Sequence, residues 1–313
     1  MSRRPAARPR RIAERLAHLA ARLTARDVWL CQLLDEHRVL TTTQLADLAF
    51  PNLDTAQHRL AILHRLELLE RFRPRRDRGS APYHYVLGPA GARVLAAHHG
   101  RDPSAVRYRR DDALAVAHWQ HLEHLLAANG FFCALARAAR ARPDRALVAW
   151  WSERRCRARW GGLVRPDGYG RWRDADAEVD FFVEVDRATE PARRLAGKLD
   201  GYATLTTVTG VATPVLFWFP TPEREASARG ALATAGAAAP MLVATASSGP
   251  AHATDPAGPV WQPLGSTGPR RPLARLAGRH DHPPAPPPPP TPQPEPERPG
   301  PLPFPPAGPA PTP

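Results

Sequence analysis

The sequence predicts an α/β (α+β) chain in two parts, an N-terminal winged helix-turn-helix and a mixed-sheet domain with helices against it, ending in a disordered Pro-rich tail. Three observations predict it. Three short helical patterns, followed by two strand-like runs around a basic Gly-Ser loop, fill residues 24–87. Strand and helix patterns then alternate from about residue 146 to residue 245. Finally, 18 of the 38 prolines fall in residues 283–313, and a segment that is mostly proline has neither ladder donors nor side chains to bury.

The elements follow in order. Residues 1–23 are a basic arm, since MSRRPAARPRR has five arginines and no apolar stretch of the kind an export signal needs. The first helix opens at Thr24-Ala-Arg-Asp27, a capping-box pattern ahead of Val28, Trp29, Leu30, Leu33 and Leu34. Thr41-Thr-Thr-Gln44 opens a second helix, which Pro51 keeps short. A third begins after Asp54, with Leu60, Leu63 and Leu66 at helical spacing. LLERFRP and APYHYVLG are then two strands joined by RRDRGS, the wing. After the helix PAGARVLAAHHG, the polar stretch RDPSAVRYRRDD marks a domain boundary, so the winged helix spans 24–112 and the second domain 113–265. In that domain the patterns predict helices at 113–128, 190–205 and 222–235, and strands at 146–152, 162–166, 178–186, 213–219 and 240–245. Residues 266–313 are the disordered tail.

Charge points to a polyanionic partner. The chain of 313 residues carries +13, and because 42 of its 43 basic residues are Arg, as a GC-rich coding sequence would give, location says more than number. Residues 1–87 hold 16 basic and 9 acidic groups, whereas residues 151–250 hold 13 and 12. The front is therefore the part that faces double-stranded DNA. Gln57, His58 and Arg59, beside Thr55 in the opening turns of the third helix, have side chains able to bond base edges or phosphates, and Arg73, Arg75, Arg76 and Arg78 line the wing. Cys31, Cys133 and Cys156 form no CxxC pair and no even framework, which excludes a structural zinc site and a disulfide scaffold. With no membrane segment either, the expected location is the reducing cytoplasm.

The chemistry concentrates in AEVDFFVEVD. Period-two alternation puts Val179, Phe181, Val183 and Val185 on one face and Asp180, Phe182, Glu184 and Asp186 on the other. Glu184 and Asp186 would stand about 6.5–7 Å apart, and like charges so placed call for a cation between them. Asp167, in the turn RPDG, is a third carboxylate that a hairpin could deliver to the same place. Lys198, the one lysine of the chain, follows in the next helix, where a compact ammonium can orient a water beside a phosphate. The competing account of this acidic face is a set of salt bridges to Arg187, Arg193 or Arg194. The histidines at 118, 121 and 124 lack the partners of a zinc site, and His280-Asp-His282 falls in the tail.

These stretches resemble the replication-relaxation family of actinobacterial plasmid and integrative-element proteins. The resemblance rests on TARDVWLCQLLDEHRVLTTTQLADLAFP, HRLAILHRLELLERFRP, YHYVLGPAGARVLA, RPDG, FFVEVDRATEP and KLDGYATL, and covers residues 24–245. It implies a role in plasmid replication and DNA relaxation, and a second domain with the PD-(D/E)XK, restriction-endonuclease-like fold. Asp167 then takes the first acidic position and Glu184 the second. Asp186 stands where that pattern has Lys, leaving only Lys198 to substitute. One function that follows is a Mg²⁺-dependent phosphodiesterase in which Asp167, Glu184 and Asp186 hold metal and Lys198 positions the attacking water. The alternative is a non-catalytic replication initiator or transcriptional regulator with a degenerate nuclease-like domain, the tail docking a replication partner. A tyrosine relaxase has little support, since no His-hydrophobe-His motif accompanies the five tyrosines.

Overall fold

A computed structural model describes residues 21–75, 79–249 and 254–276, with Glu14, His18, Leu19, Leu302 and Pro305. Among them lie nine α-helices and two sheets, the α/β (α+β) composition expected. The described residues fall into two compact units that meet in sequence between Asn129 and Gly130.

The first unit begins with α1 (Ala25–His37), whose capping box is formed as the sequence predicts: the Thr24 side chain accepts from the Asp27 N–H while Asp27 accepts from Thr24. After β1 (Leu40–Thr41), the same device opens α2 (Thr42–Ala49) through Thr41 and Gln44. Helix α3 (Leu53–Arg65) starts earlier than its pattern suggests, because the Asn52 side chain accepts from the Thr55 N–H and caps it. Leu30, Leu33, Leu45, Leu48, Leu60 and Leu63 are fully buried, so each helix turns one stripe inward. β2 (Leu69–Phe72) and β3 (His84–Leu87) pair antiparallel around the basic loop, and β1 adds on the far side of β3. α4 (Pro89–His98) follows.

Three expectations need correction here. The helix predicted over 113–128 is broken into α5 (Arg110–Leu114), a 3-10 turn and α6 (Leu122–Arg140). Moreover, the stretch assigned to the second domain from residue 113 packs with the first: Val116 and Leu122 share a cluster with Val39 and Val86, and the Asn129 amide donates to the Val39 carbonyl at 2.9 Å. The polar run that suggested a boundary is a surface crossing within one unit. Third, 162–166 is not a strand but turn and coil, and the strand comes just after it.

In the second unit, β4 (Arg145–Ser152), α7 (Glu153–Trp160), β5 (Gly168–Asp174), β6 (Ala177–Val185), α8 (Ala192–Thr209), β7 (Val215–Phe219), α9 (Pro222–Gly236), β8 (Val243–Ser247) and β9 (Gln262–Pro263) build a six-stranded sheet in the order β4-β5-β6-β7-β8-β9. The β4-β5-β6 meander and the β8-β9 pair are antiparallel, while β6, β7 and β8 run parallel. Both faces are covered. On one, Phe181 packs on Phe131 and Phe132 of α6; on the other, Phe182 packs with Trp160, Tyr169 and Tyr202.

The onset of the tail at 266 is also corrected. Residues up to Leu276 are packed: Arg271 bridges to Trp261, and Leu273 and Leu276 in a last 3-10 turn are fully buried. They read as tail only because Gly, Pro and Arg surround a few apolar residues. Apart from Leu302 and Pro305, the rest of the expected tail lies outside the described residues, as do the arm through residue 13, Arg76, Arg78 and His280-Asp-His282.

Candidate functional site

β6 ends between parallel and antiparallel neighbours, and its alternation is realised: Phe182, Glu184 and Asp186 face α8 and α9 while Phe181 faces α6. The acidic face is thus not a solvated one. Glu184 and Asp186 are only 2% and 5% exposed, beneath two helices.

Buried carboxylates need partners, and the two find different ones. Glu184 accepts from the Lys198 ammonium (Nζ–Oε2 2.6 Å) and from the Tyr202 hydroxyl (2.5 Å), donors that stand four residues apart on one face of α8. Asp186 turns instead to Arg224 of α9, with Nε–Oδ2 at 2.6 Å, and Arg224 also holds the Glu190 carbonyl. Asp167, half-buried just before β5, accepts from the Val185 N–H at 2.7 Å and gives its own N–H to the Val183 carbonyl. That pair of bonds ties the RPDG turn to the carboxyl end of β6, the end at which parallel sheets present ligand sites.

Asp167 and Glu184 are near enough to feel one another. Burial, with the Asp167 charge added to it, pushes the Glu184 carboxyl up against the pull of Lys198 and Tyr202. Burial alone would lower Lys198, but the charges of Glu184 and Asp167 outweigh it, so its ammonium is held charged above the ordinary lysine value. Tyr202 is raised well above a free phenol by burial and by Glu184, and so stays a donor. The side chain of Lys198 keeps one third of its surface in solvent. Asp167 and Lys198 are therefore reachable while Glu184 lies beneath them.

The three expected carboxylates therefore have separate partners. Asp186 belongs to a clamp on the β6–α8 connection, and among the described residues no group of three or more His, Cys, Asp and Glu side chains is arranged to hold a metal ion. Of the arginines suggested as structural partners of the acidic face, none is the partner of Asp186; Arg224 is. The signal for Tyr202 was present in KLDGYATL, as a polar aromatic four residues after the lysine.

In the first unit, Gln57 and His58 are exposed on α3, as are Arg73 and Arg75 at the hairpin. Arg73 and Arg71 lie over the Tyr83 ring, 3.9 and 4.0 Å from its centroid, which stiffens the base of the loop. Arg59 departs from its expected place at the DNA: it forms a bidentate pair with Asp27, a fully buried carboxylate of α1, with Nε–Oδ1 at 2.9 Å.

Among the described residues no helix is long and apolar enough to cross a membrane. No curated protein and no solved structure matches the chain. A family model described as replication-relaxation does match, over residues 31–220, which run from α1 to the end of β7 and include Asp167, Glu184, Lys198 and Tyr202. With more than half of its length so matched, the chain belongs to the replication-relaxation family.

Proposed function

We propose that the chain is a DNA-binding protein of plasmid or mobile-element replication that docks on duplex DNA through a winged helix in its first unit and cuts a strand, with Mg²⁺, at a nuclease-like site in its second. The observation that carries the reading is the Asp167–Glu184–Lys198 arrangement at the carboxyl end of β6: two carboxylates, one reachable, and an ammonium 2.6 Å from the buried one. On this reading the site takes the ion in a reduced form. Magnesium keeps several of its waters and takes one or two protein carboxylates, and Asp167 and Glu184 supply two. When bound it supplies charge stabilisation at phosphate oxygens. The chain's own residues do the rest: Val185 holds Asp167 in place, Tyr202 holds Glu184, and Lys198 presents a fixed positive charge to a water or phosphate. For the first unit, support comes from the order helix, helix, helix, hairpin and from exposed Gln57, His58, Arg73 and Arg75.

One observation favours a second, non-catalytic reading: both oxygens of Glu184 are already satisfied within the protein. Incubation of supercoiled plasmid with the full chain separates the two. Nicking should require Mg²⁺ and fall by about a hundredfold or more in Glu184→Gln and Lys198→Ala. Wild-type protein that binds DNA without nicking it would select the regulator.

A further inference from the structure

Helix α7 has no part in the site as described, yet its composition is unusual. Glu153–Trp160 carries Arg154, Arg155, Arg157 and Arg159 against the single carboxylate Glu153, and Arg165 follows in the loop. Arg154, Arg157, Arg159 and Arg165 are exposed. The remainder of this region has the opposite balance, with 8 basic and 11 acidic residues over 166–250. A general arginine bias of the chain does not explain a reversal of sign inside one domain.

The segment is also fixed in place. The inward side of α7 presents Cys156, which shares a core cluster with Leu199 and Tyr202 of α8. Beyond α7 the loop runs onto α8 so closely that a Cβ on Gly201 would stand 2.7 Å from the Leu163 carbonyl oxygen. Gly201 lies between Lys198 and Tyr202, so the loop crosses α8 at the turn that serves Glu184. Arg165 is then two residues before Asp167. Leu163, at the tip of the loop, is 42% exposed.

We propose that the exposed face of α7 and the loop through Arg165 form a second DNA surface, which binds the sugar-phosphate backbone of the strand lying at Asp167 and Lys198. The inference rests on reading Asp167 and Lys198 as a nucleic-acid site. Charge complementarity selects the occupant: exposed guanidinium groups on a helix and in the loop that leads to Asp167 suit a run of phosphates, and they read no sequence. This surface belongs to the second unit and the exposed residues of α3 and the hairpin to the first, which gives the chain a DNA surface in each unit.

The test uses the full chain and a labelled duplex of random sequence, with no divalent ion, and follows affinity against KCl concentration. Each phosphate contact contributes about 0.9 to the slope of log affinity against log salt. The triple variant Arg157→Ala, Arg159→Ala, Arg165→Ala should therefore flatten the slope by about 2 to 3 units. Arg173→Ala with Arg275→Ala, which removes two exposed arginines elsewhere in the unit, should leave it nearly unchanged. An unaltered triple variant, or an equal loss per charge in the control, would overturn the proposal. A second measurement locates the contact. All three native cysteines are buried, so a dye on Leu163→Cys labels that site alone, and its emission should change with the same midpoint as binding. A silent dye would overturn the proposal, as would displacement of the dye response by an acidic protein but not by DNA. Slope loss in the triple variant of a chain that never nicks plasmid would keep this surface and remove catalysis; nicking with the slope intact would do the reverse.

Discussion

Asp27 lies wholly inside the first unit and is tolerable there because Arg59 and Thr24 saturate it. Burial works to raise its pKa, and the hydrogen bonds from Arg59 and Thr24 outweigh burial, so the carboxyl ends below the ordinary value. A lowered carboxylate contributes stability that is present above its unfolded pKa of about 3.9 and lost as pH falls through its native value. Arg59→Ala should therefore cost about 3–5 kcal/mol at pH 7, by leaving a buried charge unpaired. The gap to wild type should narrow below about pH 4, where Asp27 of the variant is neutral; urea denaturation at pH 7 and pH 3 measures both. The sequence does not show the pairing of Arg59 with Asp27. Its neighbours Gln57 and His58 are exposed, and a partner 32 positions away leaves no local mark, whereas the Thr24–Asp27 cap, only three residues long, was legible. The same holds in the second unit, where Glu184 and Lys198 could be picked out by residue type but the Asp186–Arg224 pair, 38 positions apart, could not.

At the scale of elements, legibility follows how much of an element's stability is local. β6 was plain in the sequence because period-two alternation survives on a strand that buries both faces differently. β5 was missed: GYGRWRD contains two glycines, poor strand formers, and is held as strand by pairing with β4 on one side and β6 on the other. α7 was missed because ERRCRARW offers only Cys156 as a fully buried residue, too little for a 3.6-residue period. The contact of the α7 loop with α8 carries its own prediction. Gly201→Ala would force a methyl to within 2.7 Å of the Leu163 carbonyl, a backbone atom that cannot rotate away. The loop should be displaced, at a cost of about 1–3 kcal/mol. Since the displaced segment leads into Asp167, nicking should fall by more than the thermal shift explains. Comparison of melting temperature with plasmid nicking in Gly201→Ala and Gly197→Ala, where no atom lies within 4 Å of the added carbon, provides the check.

For the whole molecule, composition separated a more basic N-terminal part from a nearly balanced C-terminal part but misplaced the seams, because polarity marks surface and not domain limits. The C-terminal seam matters most. Residues 254–276 close the second unit: Trp261 packs against Phe131 and Trp218, and Arg270 forms a bidentate pair with Glu225, a buried carboxylate of α9. A chain ending at Gly268 should consequently lose several kcal/mol, from Glu225 left with Thr245 but without its Arg270 partner and from the vacated places of Leu273 and Leu276, whereas one ending at Leu276 keeps all these contacts. Melting curves of the two truncations test it. Seen as a rate, the same strap governs lifetime. Its contacts join residues 254–276 to α9 and to the strands before it, closures that loop entropy places late on the folding path and that are weak or absent at the barrier. Loosening the strap through Arg270→Ala should then hasten unfolding while leaving refolding almost as fast.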